Sequence, residues 1–237
     1  MLPQDRRNWR SMSDGERNDG ERNDGERNDG ERSEEGPDHE DGVARSGLTG
    51  KLLVATPVLG DPNFTRTVIL VLEHGHAGAL GLILNNPMGV PVVEILDAWT
   101  DEAAQAPPAV MFSGGPVSPV AIIGLVRAPR PQPGHLGIDG WQPKGWHDVL
   151  GGIGTVDLSV PPEDQPELDG VRLFSGYSGW SADQLDEEIE DGAWFCLEAI
   201  EADLLTEQPE RLWHDVLKRQ GGQLALLATF PPHPSLN

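Results

Sequence analysis

The chain has 237 residues, with 39 acidic and 17 basic side chains and a formal net charge of −22. Residues 1–46 hold 14 acids and 8 bases and the remaining 191 residues hold 25 and 9, so the acidity belongs to the body as well as to the N-terminal segment. That balance leaves little for a nucleic-acid surface, which draws its affinity from lysines and arginines on phosphates, and the single cysteine, Cys196, rules out an intramolecular disulfide and fits a reducing cytosol.

Residues 1–46 read as a tail. The pentad Asp-Gly-Glu-Arg-Asn begins at Asp14, recurs at Asp19 and Asp24, and is cut short after Arg32. It contains no apolar residue to offset the entropy of ordering, so a disordered, solvated spacer is expected. The N-terminus shows no apolar run of the signal-peptide kind. The longest aliphatic run, Val68–Leu72, is five residues and too short to span a bilayer.

A single folded domain is expected over residues 47–237. Lys51–Thr56 reads as a strand closed by Pro57, Asp61–Phe64 as a turn, and Thr67–Leu72 as a second strand. Glu73–Gly78 then connects to a third strand, Ala79–Leu84, in a hairpin. Asn85-Asn86-Pro87 ends that strand, and Pro91–Trp99 suits a short helix with proline in its first turn. Ala109–Phe112 and Val120–Val126 read as strands, and residues 128–147 as an irregular loop anchored by Trp141 and Trp146. Strands follow at Ile153–Leu158 and Val171–Phe174, separated by the loop Pro161–Gly170.

The stretch Phe174–Trp194 organises the rest. Gly176 and Gly179 predict a two-glycine turn, after which Ser181 and Gln184 have the spacing of a capping box. Leu185 and Ile189 share a helix face toward the sheet, four acids fill the other, and Gly192 is the stop. Trp194–Leu197 predicts a strand, Pro209–Gln220 a helix with a Leu212, Trp213, Val216, Leu217 stripe, and Gln223–Phe230 a closing strand. Many hairpin-like strands with few helices predict an α+β fold on a mixed, largely antiparallel sheet.

Three constellations invite chemistry. His74 and His76, which flank Gly75 beside Glu73, could place both imidazoles on one metal ion, but no third strong ligand is evident nearby in sequence. Ser113, Ser175 or Ser178 could serve a serine hydrolase, yet none lies in Gly-x-Ser-x-Gly. Gly114-Gly115 and Gly151-Gly152 lack the dinucleotide spacing. No catalytic residue, metal or cofactor is therefore assigned.

Leu53–Pro57, Asp61–Phe64, Glu73-His74, Gly78–Asn85, Gly114–Val117, Gly176–Trp180 and Gln184–Ile189 occur in an order that resembles the YqgE/AlgH family of small bacterial proteins. The resemblance covers about residues 48–232. It implies an α+β fold whose sheet closes into a partial barrel flanked by helices, in a bacterial cytosolic protein. Some members carry the label of transcriptional regulator. The family pattern usually has glycine at the positions of Ser181 and Asp183 and alanine at that of Ser178, so this helix start is expected to be better capped and less open. The resulting expectation is a protein that binds a small ligand or a protein partner in a groove lined by glycine turns. Its candidate residues are Asn85, Gly114, Gly115, Pro116, Gly176, Tyr177, Gly179, Trp180 and Gln184. An enzyme acting in that groove and a transcriptional regulator are the alternatives, the latter opposed by the charge.

Overall fold

The computed structural model describes residues 47–129 and 142–230. The expectations for the tail 1–46 and for Trp141 lie outside the described residues.

Among the described residues ten strands form one sheet that curls into a half-barrel: β1 (Lys51–Ala55), β2 (Val68–Gly75), β3 (Gly78–Ile83), β4 (Pro87–Pro91), β5 (Val110–Ser113), β6 (Val117–Arg127), β7 (His147–Leu150), β8 (Ile153–Val156), β9 (Val171–Trp180) and β10 (Trp194–Glu198). The main path runs β10-β1-β2-β3-β9-β6-β8-β7, with β4 on β5 and β5 on β9. Among the described residues only β5 and β9 pair in parallel, Phe112 facing Phe174 and Ser113 facing Ser175. The predicted α+β class with a mixed, largely antiparallel sheet is therefore the observed one.

β2 and β3 form the predicted hairpin, but Glu73, His74 and Gly75 belong to β2, and the connection narrows to His76 and Ala77. Long aliphatic runs put Leu52, Val54, Leu70, Leu82 and Leu84 into the main core, where they meet Leu212, Trp213, Val216 and Leu217 of α4 (Leu212–Gln220). The predicted stripe of α4 is thus buried as expected, and Trp213 also donates its indole N–H to the Ala55 carbonyl at 2.9 Å. A second cluster gathers Trp99, Met111, Val126 and Leu173, and a third gathers Leu53, Ile69, Trp180, Leu185 and Trp194.

Several local expectations are corrected. The two-glycine turn at Gly176–Gly179 does not exist: β9 continues through it as one strand of 10 residues. Neighbours on both edges supply the pairing that overrides the glycines' weak strand preference, and Gly176 is accommodated as an irregularity with φ 69°. Residues Pro91–Trp99 do not make one helix. Pro91 ends strand β4, and two short 3-10 turns lead into α1 (Thr100–Ala104). The closing strand at Gln223–Phe230 is instead α5 (Gly222–Leu227), packed on the main core through Leu224 and Leu227. Its run of Leu and Ala, without a β-branched residue, carried that signal. β4, β7 and α3 (Glu201–Leu204) are additions to the predicted elements.

Candidate functional site

The glycine-rich segments meet where β3, β5 and β9 converge. Gly114 donates its N–H to the Ser175 carbonyl at 2.9 Å, and its own carbonyl accepts the Ile83 N–H at 3.0 Å and the Ser178 hydroxyl at 3.2 Å. A Cβ on Gly114 would lie 2.3 Å from the Gly176 carbonyl oxygen, and one on Gly115 would lie 2.3 Å from the carbonyl carbon of Tyr177. These glycines are demanded by close backbone-to-backbone packing. Pro116 is exposed just beyond, Tyr177 is half-buried against the main core, and Gly179 lies exposed beside the Tyr177 ring. Asn85 sits at the same end. Its Oδ1 accepts the Val68 N–H at 2.8 Å and its Nδ2 donates to the Arg66 carbonyl at 2.9 Å, so the amide ties β2 to the exit of β3.

Directly over this convergence, β6 changes character. It pairs with β9 at Val117–Tyr177 and again from Ile122–Ser175, and the register shifts between the two. β8 covers only Gly124–Arg127 on the other edge. Among the described residues no strand therefore pairs with the outer edge of Val117–Ile123, and Val120 is 92% exposed at its centre. An open strand edge presents main-chain donors and acceptors to whatever approaches. Pattern reading placed a strand here from Val120, but it offered no means of seeing which edge stays open.

Trp180 and Gln184 belong to a different place. α2 (Gln184–Glu190) lies on the third core cluster through Leu185 and Ile189, as its spacing predicted. Glu188 accepts the indole N–H of Trp180 at 2.9 Å and that of Trp194 at 2.8 Å on the same oxygen, while its other oxygen accepts the Gln184 amide at 2.9 Å. The capping box is half right. Gln184 reaches back to the Ser181 N–H at 3.0 Å, but the Ser181 hydroxyl donates to the Gln184 side chain and caps no helical N–H. The N-cap is Asp183, in the left-handed region at φ 62° and making no side-chain cap bond. Asp183 thus holds, with a side chain, a backbone conformation that glycine adopts more readily.

The remaining candidates are committed elsewhere. His74 accepts the Leu48 N–H on Nδ1 at 3.3 Å and turns Nε2 toward Asp186 at 3.7 Å, while His76 is on the exposed turn. Among the described residues no group of three His, Cys, Asp or Glu side chains is placed to hold one metal ion. The Ser175 hydroxyl donates to the Pro119 carbonyl and that of Ser178 to Gly114, so neither is aimed at a histidine. A depression of about 490 Å³, lined by Gln142, Lys144, Ser159 and Asp164 among others, includes none of the nine candidates.

Sequence reasoning passed over Arg172. It is 2% exposed, and its Nη2 donates to the carbonyls of Pro107 at 2.7 Å, Thr206 at 2.8 Å and Ala106 at 3.4 Å. Its guanidinium carbon stands 4.6 Å from the Phe112 ring centroid. Burial, with a smaller contribution from the neighbouring charge of Arg127, lowers its pKa to about 10.

Comparison with known proteins agrees with the architecture. The family model described as DUF179, AlgH-like, matches residues 52–225. A UPF0301 protein of Streptomyces avermitilis is 48% identical over 193 residues, covering 81% of this chain and 96% of its own length. One from Thermobifida fusca is 46% identical over 203 residues, with 81% and 97% covered. The crystal structure of DIP2367 from Corynebacterium diphtheriae superposes with a TM-score of 0.67 at 31% identity, over 76% of this chain and 91% of that one. The solution structure of the AlgH protein from Pseudomonas aeruginosa gives 0.57 at 28% identity, over 80% and 97%. The chain belongs to the AlgH-like family.

Proposed function

We propose that this member of the AlgH-like family is a non-enzymatic binding protein of the bacterial cytosol, whose partner is an extended segment of another protein added along the open edge of β6. The observation that carries the reading is the edge Val117–Ile123, which no strand pairs among the described residues and on which Val120 is 92% exposed. Strand addition uses main-chain hydrogen bonds for affinity and alternate side chains for choice. Pro119 interrupts the run of donors, so the incoming strand engages the half from Val120 to Ile123. Behind that edge the glycine contacts of Gly114, Gly115 and Gly176 hold the sheet rigid, which lowers the ordering cost of binding. Pro116, Tyr177 and Gly179, three of the candidate residues, lie beside it, whereas Trp180 and Gln184 serve to dock α2. A body with a net charge of −16 favours a segment carrying basic residues.

A photoreactive amino acid at position 120 tests this in living cells, with position 191 on the exposed end of α2 as the control. A covalent adduct to a discrete protein at 120 and none at 191 is the expected outcome. With the captured protein purified, Val120→Asp should weaken binding by about tenfold or more. No protein adduct at 120, or equal adducts at both positions, overturns the reading.

A further inference from the structure

β10 ends the path of the sheet, and among the described residues no strand pairs with its outer edge. Thr56 donates its N–H to the Ala193 carbonyl at 3.1 Å, so alternation along the strand turns the main-chain groups of Phe195 and Leu197 toward β1. Those of Trp194, Cys196 and Glu198 then face outward, and Arg219 Nη2 donates to the Glu198 carbonyl at 3.3 Å. Free strand edges are normally guarded by proline, charge or a bulge. The other free edges here obey that rule. β4 begins and ends in Pro87 and Pro91, β6 carries Pro119 and β7 the exposed Asp148, and the pairing of each is interrupted by a register shift. β10 has no such guard. Its register with β1 runs unbroken from Lys51–Glu198 to Ala55–Trp194, its centre Phe195-Cys196-Leu197 is uncharged and half-buried, and its one charge, Glu198, is paired with Lys51.

We propose that a second copy of the chain covers this edge, the two β10 strands pairing antiparallel about a two-fold axis at Cys196. The outward residues are spaced evenly on either side of Cys196, so the copies match without a slip. Cys196 exchanges both main-chain bonds with Cys196 of the second copy, and Trp194 faces Glu198. Glu198 therefore opposes a tryptophan and not another carboxylate. That placement matters for a chain of net charge −22, whose copies repel wherever acidic faces meet. The contact covers Phe195, Cys196 and Leu197, and Ile200, 46% exposed two residues past the strand, extends the apolar run. A basic segment of the kind argued for β6 would find no unpaired acid on this strand, because Lys51 already holds Glu198. The two edges are separate, so each copy of the dimer keeps its own β6 edge.

Sedimentation velocity of the full chain should show a dimer at about 100 μM. Amide hydrogen exchange of the Trp194–Glu198 segment should be slower there than at a dilution where sedimentation shows the monomer, because the Cys196 N–H is bonded only in the dimer. Cys196→Pro removes that outward N–H and leaves the bonds from β10 to β1 in place, so it should weaken the dimer by about tenfold or more. If Cys196→Pro does not fold, Glu198→Pro removes an outward N–H at the end of the same strand and should weaken the dimer likewise. A chain that is monomeric at about 100 μM, exchange of the segment that does not change with dimer formation, or undiminished dimer affinity in the folded variant overturns the proposal.

Discussion

Trp180 donates its indole N–H to Oε2 of Glu188 at 2.9 Å, so the last residue of β9 and the last turn of α2 are joined by one bond. The same oxygen takes the Trp194 indole at the head of β10, and the two rings meet edge to face with centroids 6.1 Å apart. One carboxylate therefore closes the β9–α2–β10 connection. Glu188→Ala leaves two largely buried donors without an acceptor and should destabilise by about 2–4 kcal/mol. Trp180→Ala empties an aromatic site and should cost about 3–5 kcal/mol. Urea denaturation of both variants checks the values, and a cost near zero for Glu188→Ala would show that water serves the indoles equally well.

The left-handed conformation of Asp183 makes a second expectation. Asp183→Gly and Asp183→Ala both remove the side chain's interactions, but only alanine keeps a Cβ. The glycine variant should be more stable than the alanine variant by roughly 1–2 kcal/mol. Equal melting curves would mean that this N-cap rearranges freely.

Gly114→Ala places a Cβ 2.3 Å from the Gly176 carbonyl oxygen, and the obstacle is backbone on a central strand. The strands must separate, at a cost of about 2–3 kcal/mol. Gly192→Ala is the comparison, because a Cβ there meets nothing within 4 Å and only its φ of 79° resists it. Thermal melts should show the larger loss at position 114.

Burial raises the pKa of the half-buried Cys196 thiol above its usual 9.0, Lys51 opposing and Glu198 adding to the effect. The native thiol therefore stays protonated where an unfolded one ionises, and a disulfide reagent at pH 8 should react more slowly with native protein than with urea-unfolded protein. The unfolded chain binds fewer protons above about pH 9, so this group's contribution to stability falls as pH rises through that range. Native and unfolded rates that coincide at pH 8 would refute the shift.

With a net charge of −16 over residues 47–237, the protein should not bind duplex DNA at physiological salt. Salt-resistant retardation of a promoter fragment in a gel-shift assay would revive the regulator reading.

The amphipathic faces of α2 and α4 and the β2–β3 hairpin were legible from the sequence. Leu185 with Ile189, and Leu212 with Val216, follow a period that holds whatever the neighbours are. The family assignment was legible too, because it rests on short motifs in a set order. The open edge of β6 was not. Val120 reads as an ordinary strand residue, and its exposure depends on β8 stopping at the residue opposite Gly124.

Composition and periodicity by themselves thus determined the acidic body, the main strands and the faces that helices bury, since each rests on local chemistry. Tertiary structure decided that Gly176 and Gly179 lie inside a continuous strand, because hydrogen bonds from β3, β5 and β6 outweigh the local preference of glycine for a turn. It also decided that Gln223–Phe230 coils against the main core, and that Arg172 is enclosed among carbonyls drawn from positions 34 to 66 residues away in the chain. Such contacts have no local periodicity, so they emerge only when the sheet curls and brings its distant loops together.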